Sequence, residues 1–227
     1  MTVPGAGYSR TRAYKGYKAV GSGQKVPGGN LYVALLHNPV YDKQGHVVTT
    51  CITNLDLHDI ARVARTYHLG QFFVVHPVPS QAALARRIVH HWKEGFGASY
   101  NATRKEAFEL MTLCGTLKEA TDWIRKEKGG KSPRIVITAA GRFQSTIGFA
   151  ELSTRIHEGE EPYLLLFGTG WGLVEDVIKE ADDVLEPIQG VGDYNHLSVR
   201  SAVSIVIDRL MGDRQVHRTG TTENMFQ

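Results

Sequence analysis

The chain has 227 residues, 42% of them hydrophobic, and a net charge of +3. That size suits one domain with tails around an ordinary apolar core. No apolar run reaches the length of a membrane helix, and no apolar stretch near Met1 reads as a secretory signal.

The two cysteines, Cys51 and Cys114, form no C-x-x-C pair. Without a secretory context they read as free thiols of a cytoplasmic protein. None of the ten histidines has zinc-site spacing, and the adjacent His90 and His91 point to different faces of a helix, so no metal is expected. Charge is uneven. Residues 1–28 hold Arg10, Arg12, Lys15, Lys18 and Lys25 and no acid, which leaves −2 for the rest. A body of that charge is no broad nucleic-acid platform. RNA affinity would come from local patches or from this arm, whose Tyr8, Tyr14 and Tyr17 could stack on bases. Three parts follow: a flexible basic extension (1–28), one domain (29–212) and a tail (213–227).

In chain order, Leu31–Leu36 reads as a buried strand, ending in His37-Asn38-Pro39, with a turn at Asp42–Gly45. Asn54 or Asp56 is placed to cap a helix over 57–67, whose Ile60, Val63, Ala64 and Tyr67 face inward. Arg62 and Arg65 lie three apart on the other face. Gln71–Val75 is a second strand, ending at His76-Pro77. Ser80 is placed to cap the next helix, and Glu94–Gly97 reads as a glycine-broken loop. Helices follow near 103–111 and over 117–128, the second stopped by Gly129-Gly130. A strand at 134–138 leads to Ala139-Ala140-Gly141, and a helix near 147–157 follows.

The next stretch is the most informative. The apolar run Tyr163–Phe167 opens into Gly168-Thr169-Gly170-Trp171-Gly172. A helix over 173–180 and a short strand over 183–185 follow. A second glycine-rich loop then leads to a helix from Ser198. Strands alternating with helices indicate α/β architecture with a mostly parallel sheet flanked by helices. Both loops fall at carboxyl ends of parallel strands, where open sheets bind ligands. Glycine there lets main chain approach a nucleotide-sized ligand, or simply makes a tight turn. The spacing also imitates a Rossmann fingerprint, but Leu173 stands where its third glycine belongs.

Three segments taken together resemble the SPOUT superfamily of RNA methyltransferases. Asp56 to Arg65 resembles the first motif of its ribose-methylating branch, where an Asn leads by six residues to an Arg. Leu165 to Leu173 resembles F-G-x-E-x-x-G-L. Leu185-Glu186-Pro187-Ile188 through Asn195–Val199 resembles I-P-M followed by S-L-N-V-S. From Leu31 to Leu210 the chain is most similar to a small family of bacterial stand-alone SPOUT proteins, described as S-adenosylmethionine-dependent RNA methyltransferases.

The resemblance implies a C-terminal deep trefoil knot, a homodimer through the knot region, a tRNA or rRNA partner, and S-adenosylmethionine as cofactor. It places the cofactor on three loops: Thr138, Ala139, Ala140 and Gly141; Phe167, Gly168, Thr169, Gly170, Trp171 and Gly172; and Ile188 with Asn195, His196, Leu197 and Ser198. Ile188 and Leu197 could sandwich an adenine ring. Arg62 is the candidate for RNA phosphate or proton handling, Asp56 or Asp59 for the base, and His196 for a group beside the cofactor. Each has a plainer role open to it: solvated cation, helix cap, loop histidine. Asp56 replaces the motif's Asn, Gly170 its Glu, and His196-Leu197-Ser198 its Ser-Leu-Asn. A base nitrogen is therefore as open as a ribose hydroxyl. A knotted RNA- or nucleotide-binding protein without transfer is the alternative, and a nicotinamide-dependent oxidoreductase ranks below it.

Overall fold

The computed structural model describes residues 29–141, 143–192 and 194–212. The basic arm and the C-terminal tail expected from the sequence lie outside them. The chain enters through β1 (Leu31–Leu36), buried along its whole length. A small antiparallel hairpin, β2 (Val40–Tyr41) and β3 (Val47–Val48), follows, and its turn places Gly45 at φ 83°.

Helix α1 (Asn54–Thr66) comes next. Its cap is Thr53, not Asn54 or Asp56 as the sequence suggested: the Thr53 hydroxyl accepts the Asp56 N–H at 3.1 Å. After β4 (Gln71–Val75), helix α2 (Pro79–Lys93) is capped by Val78, not Ser80. Pro79 takes the first helical position, where its missing N–H is harmless and its fixed φ already suits a helix. The glycine-broken stretch forms the short helix α3 (Phe96–Tyr100). Helix α4 (Ala102–Glu109) stops earlier than expected, and Met111 opens strand β5 (Met111–Cys114). Helix α5 (Leu117–Glu127) ends at Gly129 and Gly130, which take φ 61° and 97°. Strand β6 (Arg134–Ile137), α6 (Phe149–Glu158), β7 (Tyr163–Gly168), α7 (Glu175–Lys179), β8 (Asp183–Val184) and α8 (Val199–Met211) complete the described chain. Helix α7 starts two residues later than expected because Leu173 is held in an antiparallel bridge to Val40.

All six strands of the main sheet run parallel, in the order β5-β4-β1-β7-β6-β8. Strands buried on both faces need near-continuous apolar runs, as LYVALL, QFFVV and YLLLF are. Alternation sends Leu31, Val33 and Leu35 to one face, under α1, α4, α6 and α8. Tyr32, Ala34 and Leu36 go to the other, under α5 and α7. The winding reverses between β1 and β7, because β4 and β5 lie to one side of β1 while β7 and β6 lie to the other. A crevice at such a reversal, at the carboxyl ends, is where a sheet of this kind takes ligands.

Candidate active site

The seam between α1 and α8 carries the charged groups. Ser198 caps α8, its hydroxyl accepting the Ser201 N–H at 3.4 Å, so Arg200 falls in the first turn and reaches back to α1. Arg200 Nη1 donates to Asp56 Oδ1 at 3.3 Å, and its Nε lies 3.6 Å from Asp59 Oδ2. The other oxygen of Asp56 accepts the Thr53 hydroxyl at 2.6 Å. Asp56 is buried and both its oxygens are engaged, which suits an anchor better than a base. Asp59, partly exposed, opens instead into a cleft of about 370 Å³, lined with Arg62, Tyr67, Arg200 and Ser204 among others. Arg62 is exposed on the same wall and has no ion-pair partner among the described residues. A carboxylate able to take a proton thus stands one helical turn from a guanidinium able to meet a phosphate.

The three loops converge beside the start of α8. Trp171 and His196 have ring centroids 6.3 Å apart, and Tyr194 and His196 5.3 Å. Asn195 Nδ2 donates to the Ala140 carbonyl at 3.5 Å. Much of the second loop is committed to the turn itself. Trp171 N–H donates to Tyr41 O and Tyr41 N–H to Gly172 O, both at 2.9 Å. Gly170 has φ 60°, and a Cβ there would meet Tyr41 O at 2.7 Å. The motif's Glu therefore cannot stand at this position without moving the hairpin.

The individual side chains divide accordingly. Phe167 is packed in the core, and the Thr169 hydroxyl donates inward to Leu36 O at 3.1 Å. The Thr138 hydroxyl is spent on Leu166 O at 2.8 Å, and Ala139 packs toward the α5 face. Ile188 is half-buried against the opposite core. Trp171, His196 and Leu197 are exposed at the mouth, with Ala140 and Gly141 beside Asn195.

Behind these loops lies a network that sequence reasoning left unassigned, although His37 and His76 were visible at strand ends. The Thr50 hydroxyl lies within hydrogen-bond reach of Thr169 Oγ1, of the His37 carbonyl at 3.5 Å and of His37 Nδ1 at 3.1 Å, and the Thr169 hydroxyl also reaches Leu36 O. His37 is thereby held through Nδ1, and its buried Nε2 has no partner among the described residues. His76 carries its proton on Nε2, which donates to Thr50 O (2.9 Å), while Nδ1 accepts the Val78 N–H (3.1 Å). Burial, and then the neighbouring His76, push the His37 pKa down to about 4, against a smaller upward pull from Asp56. The network ties the ends of β1, β4 and β7 to the loop before α1. Arg200 and Thr53 were missed as well: a lone Arg after a cap and a Thr before a helix give no distinctive spacing.

Residues 30–212 match the SAM-dependent RNA methyltransferase family. The chain belongs to this family. S-adenosylmethionine is accordingly its methyl donor and RNA its substrate class. An uncharacterised protein of Aquifex aeolicus is 41% identical over 181 residues, spanning 80% of this chain and 88% of that one. A tRNA (guanine-N(1)-)-methyltransferase of Oleidesulfovibrio alaskensis is 40% identical over 187 residues, 82% of this chain but 43% of the relative. The chain thus spans less than half of that methyltransferase. The SpoU methyltransferase AviRb of Streptomyces viridochromogenes, solved with AdoMet, shares the fold, with a TM-score of 0.53 at 14% identity over 83% of this chain and 58% of that one. Among the described residues, no helix is long and apolar enough to cross a membrane.

Proposed function

We propose that this methyltransferase modifies a nucleotide of tRNA or rRNA, at a base nitrogen or a ribose 2′-hydroxyl, in the region between the α1/α8 cleft and the three converging loops. The observation that carries this reading is an exposed Arg62, without an ion-pair partner among the described residues, beside Asp59 in one cleft, joined by the first turn of α8 to the loop mouth at His196. The loops suit the cofactor chemically. Thr138–Gly141, Gly168–Gly172 and Ile188–Ser198 contain no lysine or arginine, so no fixed cation opposes a sulfonium.

When bound, S-adenosylmethionine supplies an electrophilic methyl group. The protein's share is alignment and proton handling. In this reading Ile188 and Leu197 flank the adenine, and Ala140, Gly141 and Asn195 supply polar main-chain and amide contacts. Arg62 holds a phosphate of the RNA, Asp59 accepts the acceptor's proton, and Arg200 orients Asp59. Asp56 serves as the anchor of Arg200.

Residues 29–212 form one domain in this proposal, and α8 is threaded through a loop as a trefoil knot. The route supports threading: the chain leaves the sheet edge at β8, passes beside Trp171 and Ala140, and packs α8 against α1, α6 and β7. We read the knot region as a homodimer contact in a cytoplasmic enzyme, with the acceptor site shared between subunits. The test combines calorimetry of the full chain with S-adenosylmethionine and transfer of labelled methyl to total RNA. Arg62→Ala should retain cofactor binding and lose transfer. Unchanged turnover in that variant removes Arg62 from the mechanism, and a wild type that binds cofactor without transferring methyl makes the chain a binder.

A further inference from the structure

Arg62 faces two clefts at once. Beyond the α1/α8 seam, a groove of about 280 Å³ runs between α1 and α4, lined by Arg62, Arg65, Thr66, Asn101, Arg104 and Glu106. Three guanidiniums there face one carboxylate. Arg65 meets Glu106 at 3.1 Å, but both side chains are about half exposed. Such a surface pair is weak enough for a phosphate to compete with it. Arg104 lies 4.8 Å over the Trp92 ring, and Asn101 holds the start of its helix by accepting the Arg104 N–H at 3.0 Å. Its guanidinium is therefore held in place before any ligand arrives.

The residue before Asn101 belongs to a second feature. Phe96 and Tyr100 are 72% and 76% exposed, yet their rings stack on each other, with centroids 5.8 Å apart and planes 22° from parallel. Two large rings left in solvent offer a π face that the core does not use. We propose that the α1/α4 groove and the Phe96–Tyr100 pair form a track for single-stranded RNA, with phosphates on Arg65 and Arg104, a base on the stacked rings, and the strand led to Arg62. Guanidiniums beside exposed aromatic rings are the combination that binds unpaired strands, because every unstacked base has a face to stack. A duplex hides those faces. A protein partner is disfavoured by the polar, cationic lining. The inference rests on the methyl-transfer reading only in taking RNA as the substrate.

The test is fluorescence anisotropy of the full chain with a labelled single-stranded oligouridylate, without cofactor, over a salt series. Tyr100→Ala should weaken binding about five-fold or more. Arg65→Gln should lower the slope of log affinity against log salt by roughly 0.7. Both variants should bind S-adenosylmethionine as the wild type does. Oligouridylate affinity unchanged in both variants overturns the track. So does a change of mass by light scattering in Phe96→Ala or Tyr100→Ala with RNA affinity intact, which would make the pair a subunit contact. If the groove variants lose RNA affinity while the wild type transfers no methyl, the track stands and the transfer reading falls.

Discussion

Burial of His37 makes stability depend on pH in a defined direction. In the fold, Nδ1 is bonded to the Thr50 hydroxyl and Nε2 is buried without a partner among the described residues. A second proton would create an unpaired buried cation. The folded pKa is about 4, against 6.5 for an ordinary histidine. Between these values the unfolded chain binds a proton that the folded chain refuses. His37 therefore leaves stability intact above about pH 6.5, and removes it as pH falls toward 4. That depression corresponds to roughly 3 kcal/mol. His37→Asn keeps a group near the position of Nδ1 for Thr50 and removes the titration. The assay is urea unfolding of both proteins at intervals from pH 7 to 4. Other groups titrate equally in both, so their difference isolates His37. The variant should be less stable at pH 7, through lost packing, and the gap should close or reverse toward pH 4. Parallel curves would refute the depressed pKa of the buried His37.

Arg200→Ala should destabilise the chain by about 2 kcal/mol, since it leaves Asp56 buried with only the Thr53 hydroxyl; Asp56→Asn in the same background should recover part of that loss in urea unfolding. Gly170→Glu should cost about 1–3 kcal/mol, because φ 60° disfavours any side chain and Tyr41 O blocks the Cβ. Gly172→Ala, with φ 104° and open space around it, should show backbone strain without that clash. Thermal unfolding compares the two. Transfer of labelled methyl should fall at least about ten-fold in Asp59→Asn if Asp59 accepts the proton, with S-adenosylmethionine affinity unchanged.

The parallel sheet was legible because its central strands are buried on both faces and therefore written as unbroken apolar runs. Leu31–Leu36, Gln71–Val75 and Tyr163–Phe167 each announce themselves in this way. β5 was not legible. Its four residues, Met-Thr-Leu-Cys, follow a helix without a breaker, and only pairing with β4 makes them a strand. Caps were misplaced by one to three residues, at α2 because Pro79 and not Ser80 opens the helix, and at α1 because several polar groups crowd its start. At 53–56, Thr, Asn and Asp all compete, and tertiary contact settles the choice by giving Asp56 to Arg200. The loop convergence could be anticipated from the glycines, but not the division of labour within it. Phe167 and Thr169 face inward because strand alternation and the Thr50 contact decide their direction, whereas Trp171 and His196 remain outside.

Two departures from the ribose-methylating motifs meet at the charged seam. Asp56 stands in place of an Asn, and Arg200 follows Leu197-Ser198-Val199 in place of the serine that ends S-L-N-V-S. In the fold these two substituted positions touch, at 3.3 Å. Asp56 alone would leave a buried charge with only the Thr53 hydroxyl, which is costly, whereas Arg200 alone would still meet Asp59 at 3.6 Å. Made together, they lock the first turn of α8 to α1 and so fix where the preceding loop, with Asn195 and His196, must lie. The exchange also removes Asp56 from proton transfer by occupying both its oxygens, and leaves Asp59 as the carboxylate that can reach the cleft. Asp56 and Arg200 should therefore behave as one unit. Singly, Asp56→Asn and Arg200→Ser should each disturb cofactor affinity, while the double variant should lie closer to the wild type than the sum of the two losses. Additive losses in a calorimetric double-mutant cycle would show that the seam does not position the loop.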